Sequence, residues 1–362
     1  MSAQTIPQPG TPRSDLVTLT EGDLCEIARF IAAQSGQTGE TEEALLRWLL
    51  LENSARLPEV PLGFGLRAEG ELVGCILCVP QAFRLGSEKI LLIGSSSFYV
   101  DNGYRGHGGR IFLKYSRLAT HWPLFGTSAN AEAAALWKAA GARPIPYSDG
   151  ELFGVLHWPP FAEEFVHRRL SSRLLSRLAG SSVSNLARMF RPLKIDGGES
   201  DALRKLTSAE QVNDLPIHPP STKLTSSRDV SYIRWRYFSG RDTTASTFAF
   251  RSRKPDGEIL VTVNQRTRGY RRQINTLNVL DVYPEVPLEE WLRIVGALIA
   301  HYGKSVDAVV LRGQNPDQRN LFCRKGFQWR AFDAPTGWIL DKANLLPHHE
   351  WYLVPADGDG LI

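Results

Sequence analysis

The chain has 362 residues, of which 43% are hydrophobic and 22% charged. That is too apolar for a disordered chain, and enough to bury a core. Lysines and arginines number 42 against 38 acidic residues, a net charge of +4. So small an excess speaks against a protein that coats nucleic acid. At roughly 150 residues per domain, the length implies two domains or one large one. No apolar run approaches the ~18 residues of a membrane span. Residues 1–14 are polar, without the apolar centre of a signal peptide, so a cytoplasmic location is expected.

The pattern predicts a loose tail over 1–15, then helices over 21–34 and 41–53. In the second helix Leu45, Leu46, Trp48 and Leu49 make a stripe near the 3.6-residue period. Strands are expected at 63–68, 72–80 and 89–100, with Glu69-Gly70 as a hairpin turn between the first two. Cys75 and Cys78 fall on the second of these strands. Residues three apart on a strand face opposite ways, so the CxxC reads as two buried thiols, and no metal site is expected. A helix over 110–121, a strand over 123–127 and a helix over 129–140 follow, the last closed by Gly141 as a left-handed cap. A strand at 151–157 ends the series.

The same order then returns. A helix at 230–238 precedes strands at 244–252, 259–266 and 273–282, with the turn Lys254-Pro255-Asp256-Gly257 where Glu69-Gly70 stood. A helix at 287–301, a strand at 308–312 and a helix at 316–325 ending at Gly326 complete the set. Three anchors repeat in order. Leu46-Arg47-Trp48 answers Ile233-Arg234-Trp235, and Phe64 with Arg67 answers Phe248 with Arg251. Asn130, Leu136, Trp137 and Gly141 answer Asn315, Leu321, Phe322 and Gly326. The offsets are 187, 184 and 185. A period this long indicates a duplicated α+β unit.

Residues 158–225 lie between the copies. They hold a basic amphipathic stretch, 161–191, in which Arg168, Arg169, Arg173 and Arg177 accompany Leu170, Leu174, Leu175 and Leu178. It reads either as a linker helix with a solvated basic face, or as a weak membrane-surface contact or lid over an anionic substrate. Trp235, Tyr237, Trp291, Trp329, Trp338 and Trp351 read as core and interface, with a platform for a ring-shaped substrate as the alternative.

The segment Phe98-Tyr99-Val100-Asp101-Asn102-Gly103-Tyr104-Arg105-Gly106-His107-Gly108-Gly109-Arg110 carries the chemistry. It joins a strand to a helix. Its glycines allow close approach and unusual dihedrals, and the helix N-terminus points N–H groups and a positive dipole end at the loop. Arg105, His107 and Arg110 add positive charge. A pyrophosphate suits such a junction. It is neither a Walker loop, lacking Gly-Lys-Ser/Thr, nor a dinucleotide fingerprint, lacking the acidic residue about 20 positions on.

This loop resembles that of the GNAT acyltransferase superfamily, Q/R-x-x-G-x-G/A after the fourth strand, in Arg105-Gly106-His107-Gly108. The sixth position is Arg110, which would set a guanidinium on a phosphate, unless Gly109 takes the small-residue role by a one-residue shift. The series Asn130, Ala133, Leu136, Trp137, Gly141 is similar to the family's Asn-x-x-Ala-x-x-Leu-Tyr-x-x-x-Gly-Phe. Asn315, Leu321, Phe322, Gly326 and Phe327 match it in the second copy. The resemblance covers about 60–157 well and about 230–340 more loosely. In place of the glycine loop the second copy has Asp281-Val282-Tyr283-Pro284-Glu285-Val286-Pro287.

The resemblance implies two tandem GNAT-like domains of α+β class, each a mostly antiparallel central sheet flanked by helices. One would span 16–157, a linker 158–225, and a degenerate copy 226–362. It implies acetyl-CoA, or another acyl-CoA, as co-substrate. Val100, Arg105, Gly106, His107, Gly108, Gly109, Arg110 and Asn130 would hold it, and main chain near Tyr99 and Val100 would polarise the thioester carbonyl. The family's helical tyrosine acid is Trp137 here, so Tyr99, Tyr115 or water would replace it. Asp101, Glu132 and Glu59 are the candidate bases. The expected reaction is direct attack of a small-molecule amine or hydroxyl on the thioester by a monomer or weak dimer, without a nucleic-acid partner. The competing readings are a non-catalytic tandem binding or regulatory protein, and a transferase using another activated donor such as aminoacyl-tRNA.

Overall fold

The computed structural model describes residues 13–161, 193–195, 198, 200–212, 223–239, 245–253, 257–268, 273–346, 351–352 and 355–357. Strand β1 (Asp15–Leu19) leads into α1 (Leu24–Ser35). Leu24, Ile27, Ala28 and Ile31 recur at helical spacing and are buried, and Gly36, at φ 75°, ends the helix. Thr38 caps α2 (Gly39–Leu46), accepting from the Thr41 amide, and α2 runs into a π-helical turn, Arg47–Leu51. Strands β2 (Gly63–Ala68) and β3 (Glu71–Leu85) meet at Glu69 and Gly70, at φ 51° and 90°. Both central positions of this tight turn are left-handed, as the twist of a hairpin favours. The strand β4 (Glu88–Val100), helix α3 (Gly108–Ser116), β5 (Leu124–Gly126), α4 (Ala131–Ala139), β6 (Arg143–Pro144) and β7 (Gly150–Val155) follow.

The second series repeats the first. It contains β8 (Leu203–Lys205), β9 (Leu224–Ser226), and a helical turn Val230–Ile233 running into a second π-helical turn, Arg234–Phe238. Then come β10 (Ala245–Arg251), β11 (Glu258–Arg268), β12 (Ile274–Tyr283), α5 (Leu288–Tyr302), β13 (Ala308–Arg312), α6 (Pro316–Arg324), β14 (Gln328–Ala331), β15 (Trp338–Leu340) and β16 (Trp351–Tyr352). The repeat anchors take equivalent places. Asn130 and Asn315 both cap helices, Trp137 and Phe322 are both buried, and Gly141 and Gly326 both have positive φ.

Two mixed sheets result. Among the described residues the first runs β1-β2-β3-β4-β5-β15-β6, with β9 and β16 attached beside β3, and the second runs β14-β7-β13-β12-β11-β10-β8. The two orders match when β15 and β7 are exchanged. Each copy therefore gives its penultimate-position strand to the other: β7 pairs with β13 and β14, and β15 pairs with β5 and β6. The segments 16–157 and 226–362 are thus not separate sheets. Nor is 158–225 only a linker, since β8 extends the second sheet and β9 pairs with β3. The basic stretch is described only at Phe161, and the rest of it lies outside the described residues. Of the tail, 1–12 is likewise outside, and Asp15 already pairs with Arg67.

On the first sheet Cys75, Leu77 and Val79 pack toward α1 and α2, while Ile76 and Cys78 pack toward α3 and α4. The two thiols do face opposite ways. Burial pushes the Cys75 thiol up to about 12 and raises that of Cys78 as well. The second sheet carries α5 and α6 over Phe248, Val261, Val279 and Leu311. One core cluster spans both copies, joining Leu46, Trp48 and Leu49 to Tyr232, Ile233 and Trp235. The aromatics Trp235, Trp291, Trp338 and Trp351 are all buried within core clusters. Among the described residues no helix is long and apolar enough to cross a membrane.

Candidate functional site

The site forms because two parallel strands part. Strands β4 and β5 pair only at Ile93–Leu124 and Gly94–Phe125. Strand β5 ends at Gly126, whereas β4 continues to Val100, so a fork opens beyond Gly94. On its other edge β4 carries a bulge. Leu77 faces Ser96 and Cys75 faces Tyr99, so Ser97 and Phe98 together oppose Ile76. Ser97 has φ 49°, in the left-handed region. Such a bulge breaks the ladder and turns main-chain groups away from β3.

A cleft of about 520 Å³ occupies the fork. Its walls are β4 from Ser95 to Val100, the start of α3 at Gly108 and Gly109, and Ser128 to Ala133 at the start of α4. Arg105 lies at the mouth, and Gln34 reaches it from the end of α1. The Ala129 amide donates to the Thr336 carbonyl, so the second half of the chain supports this wall.

The loop after β4 departs from expectation. Residues Asn102–His107 form a 3-10 helix that leads directly into α3, and none of Gly106, Gly108 and Gly109 has positive φ. What the glycines supply is space: a Cβ on Gly106 or Gly109 would meet nothing within 4 Å. The first turn of α3 has no acidic residue, and α3 continues the 3-10 turn that follows Asp101, with the Gly108 amide donating to the Arg105 carbonyl.

The structure gathers Tyr99, Val100, Arg105, Gly108, Gly109, Asn130 and Glu132 around the cleft. It leaves Gly106, His107, Arg110 and Asp101 out of the lining. His107 and Arg110 turn to the entry of β1. His107 Nδ1 lies 2.6 Å from Ser14 Oγ, and Arg110 Nη1 lies 3.2 Å from the Ser14 carbonyl and from His107 Nδ1. The N-terminal chain passing the start of α3 captures both. Asp101 sits at the rim, where its carboxylate accepts from Gln34 Nε2 at 2.8 Å. Asn130 Oδ1 caps α4 through the Ala133 amide at 2.8 Å, and the residue lines the cleft. Glu59 lies in a different groove, with Lys114 and His121. Tyr115 is buried and its hydroxyl donates to the Ile93 carbonyl at 3.0 Å. Burial raises its pKa well above the usual tyrosine value, and with its proton on the Ile93 carbonyl it is not among the residues lining the cleft. Gln34 and the serines Ser95, Ser96 and Ser97 were not expected. A helix C-terminus and a polar run on a strand carry no local signal of a site.

The second copy forks in the same way. Strands β12 and β13 pair from Thr276–Ala308 to Val279–Leu311, and β12 continues to Tyr283 past a bulge at Leu280. This fork is filled by the chain itself. The Tyr352 hydroxyl donates to the Val282 carbonyl. Asp281 accepts from Arg228 Nε at 2.9 Å and from the Tyr237 hydroxyl. Arg228 also donates to Asp357 at 2.9 Å, and Arg228, Asp281 and Asp357 are all fully buried. A cavity of about 80 Å³ remains, lined by Trp291, Asn315, Gln318, Trp351 and Tyr352.

No family model matches the sequence, and no curated protein matches it. Solved structures do match. A probable N-acyltransferase of Enterococcus faecalis aligns with TM-score 0.56 at 11% identity, over 92% of this chain and 74% of that one. Saccharomyces cerevisiae N-myristoyltransferase, solved with bound myristoyl-CoA, aligns with TM-score 0.53 at 9% identity, over 94% and 85%. A GCN5-related N-acetyltransferase of Kribbella flavida aligns with TM-score 0.52 at 15% identity, over 91% and 72%. With its two forked sheets in matching order, this chain has the fold of the GNAT acyltransferases, present in tandem.

Proposed function

We propose that the chain is an acyl-CoA-dependent N- or O-acyltransferase that uses the first fork, with acetyl-CoA as the foremost donor. The observation that carries this reading is the open fork of β4 and β5, with the start of α3 and Arg105 at its mouth. The pyrophosphate is taken at the start of α3: the exposed Gly109 has no side chain to keep it from the main chain, and Arg105 supplies a charge-assisted donor. Main-chain groups of β4 beyond the bulge and Asn130 hold the pantetheine arm. When bound, acyl-CoA supplies an activated acyl carbonyl. Fixed main-chain donors stabilise the charge that develops on its oxygen.

Glu132, inside the cleft, takes the proton from the acceptor amine or hydroxyl. Asp101 positions Gln34 at the rim. With Trp137 in place of a helical tyrosine and Tyr115 sealed in the core, Tyr99 is the phenol that lines the cleft and can protonate the departing thiolate. The second copy gives β15 and the Thr336 contact to the cleft wall. Its own fork is filled and takes no CoA.

The test measures binding of CoA and acetyl-CoA by calorimetry, then thiol release across polyamines, amino acids, amino sugars and nucleotide sugars. Binding that Gly109→Trp abolishes, with thiol release for at least one acceptor, is expected. Absence of any CoA binding rejects the proposal. Binding without thiol release from any acceptor points instead to a non-catalytic binding protein.

A further inference from the structure

The vertex of the first fork is closed by one side chain. Ser95 and Gly126 are the first residues past the last β4–β5 pair, Gly94–Phe125. The indole of Trp137 rests on Gly126: a Cβ there would lie 3.1 Å from Trp137 Cζ2 and 2.9 Å from Ser95 Oγ. Trp137 is 2% exposed, and it is held in place. Phe112 meets it edge-on at 5.1 Å and Tyr115 at 6.0 Å, and Tyr115 is itself pinned to the Ile93 carbonyl. Trp137, Phe112 and Leu136 all line the cleft, while Ile93 and Tyr115 behind them are fully buried.

A donor whose phosphates sit at α3 and whose arm follows β4 from Val100 to Ser95 delivers its acyl group at this vertex. The fold itself does not limit acyl length, because the yeast N-myristoyltransferase of the same fold was solved with myristoyl-CoA. The limit must come from side chains. We propose that Trp137 sets the length of the acyl group, confining the donor to short chains such as acetyl. The inference rests on the acyl-CoA reading above. Packing against a fixed indole leaves no room for further methylenes unless the aromatic cluster moves, and close-packed clusters resist that.

The test is calorimetric titration of the whole protein and its Trp137→Ala and Trp137→Leu variants with free CoA, acetyl-CoA and octanoyl-CoA. It needs no knowledge of the acceptor. In the wild type, octanoyl-CoA is expected to bind at least about 10-fold more weakly than acetyl-CoA, the scale on which a pocket rejects added methylenes. Either variant should close or reverse that gap while free CoA binds as in the wild type. Equal binding of the two thioesters to the wild type, or a gap unmoved in both variants, overturns the inference and leaves the donor reading intact. If no CoA species binds the wild type, both fail. Trp137→Leu keeps a large apolar side chain at this site, so the test survives a Trp137→Ala variant that does not fold.

Discussion

Trp48 and Trp235, equivalent residues of the two copies, clasp each other by reciprocal hydrogen bonds. Nε1 of Trp48 donates to the main-chain oxygen of Trp235 at 2.7 Å, and Nε1 of Trp235 donates to that of Trp48 at 2.9 Å. Their rings stack at 5.5 Å with an interplanar angle of 27°. Both stand at the second position of a π-helical turn. The repeat thus meets itself at a local twofold, and Arg236 lies over both indoles, 5.6 Å from the Trp48 ring centre and 5.5 Å from that of Trp235.

This clasp should be costly to break. Trp48→Phe removes one buried donor and should cost about 1–3 kcal/mol, and Trp48→Ala about 3–5 kcal/mol. Chemical denaturation checks both values. Because each sheet contains a strand of the other copy, the wild type should unfold in one transition, with fluorescence and circular dichroism coinciding.

The two loop arginines should behave differently. Arg105 lines the cleft, while Arg110 is turned to Ser14 and His107. Arg105→Ala should weaken CoA binding roughly 10- to 100-fold, the worth of a hydrogen bond to a charged group. Arg110→Ala should change it little. Titration of both variants with CoA decides, and equal losses would contradict the assignment.

The buried Arg228 balances Asp281 and Asp357. Arg228→Met leaves two carboxylates in the core and should destabilise by about 3–5 kcal/mol. Adding Asp281→Asn to that variant should restore part of the loss, because one uncompensated charge goes. Melting and denaturant curves of the single and double variants test the coupling.

Alkaline pH should unfold the protein cooperatively. Burial, the largest cause, raises Tyr232 from 10.0 to about 12 and lifts Tyr115, Tyr237 and Tyr352 well above 10.0. For a group whose folded pKa is raised, the stabilisation is complete below the unfolded value and fades as pH rises toward the folded one. Stability should therefore hold below about pH 10 and fall between 10 and 12. Tyrosinate absorbance should show these four phenols ionising only with the loss of circular dichroism.

Local features were legible in the chain. The Glu69-Gly70 hairpin, the caps Asn130 and Asn315, the left-handed Gly141 and Gly326, and the strand–glycine–helix junction all follow from near neighbours. So did the duplication, since equivalent residues face equivalent cores. Three things only the tertiary structure decided. Exchange of β7 and β15 leaves every apolar face buried, so the pattern of either strand is the same in its own sheet or its partner's. The side chains of His107 and Arg110 are directed by Ser14, more than 90 positions away, which no spacing encodes. Finally, both forks are built by the same parting of parallel strands. Whether a fork stays open depends on what else the chain folds into it. The first stays open as a cleft, and the second is closed by Tyr352 and by Asp357 held on Arg228.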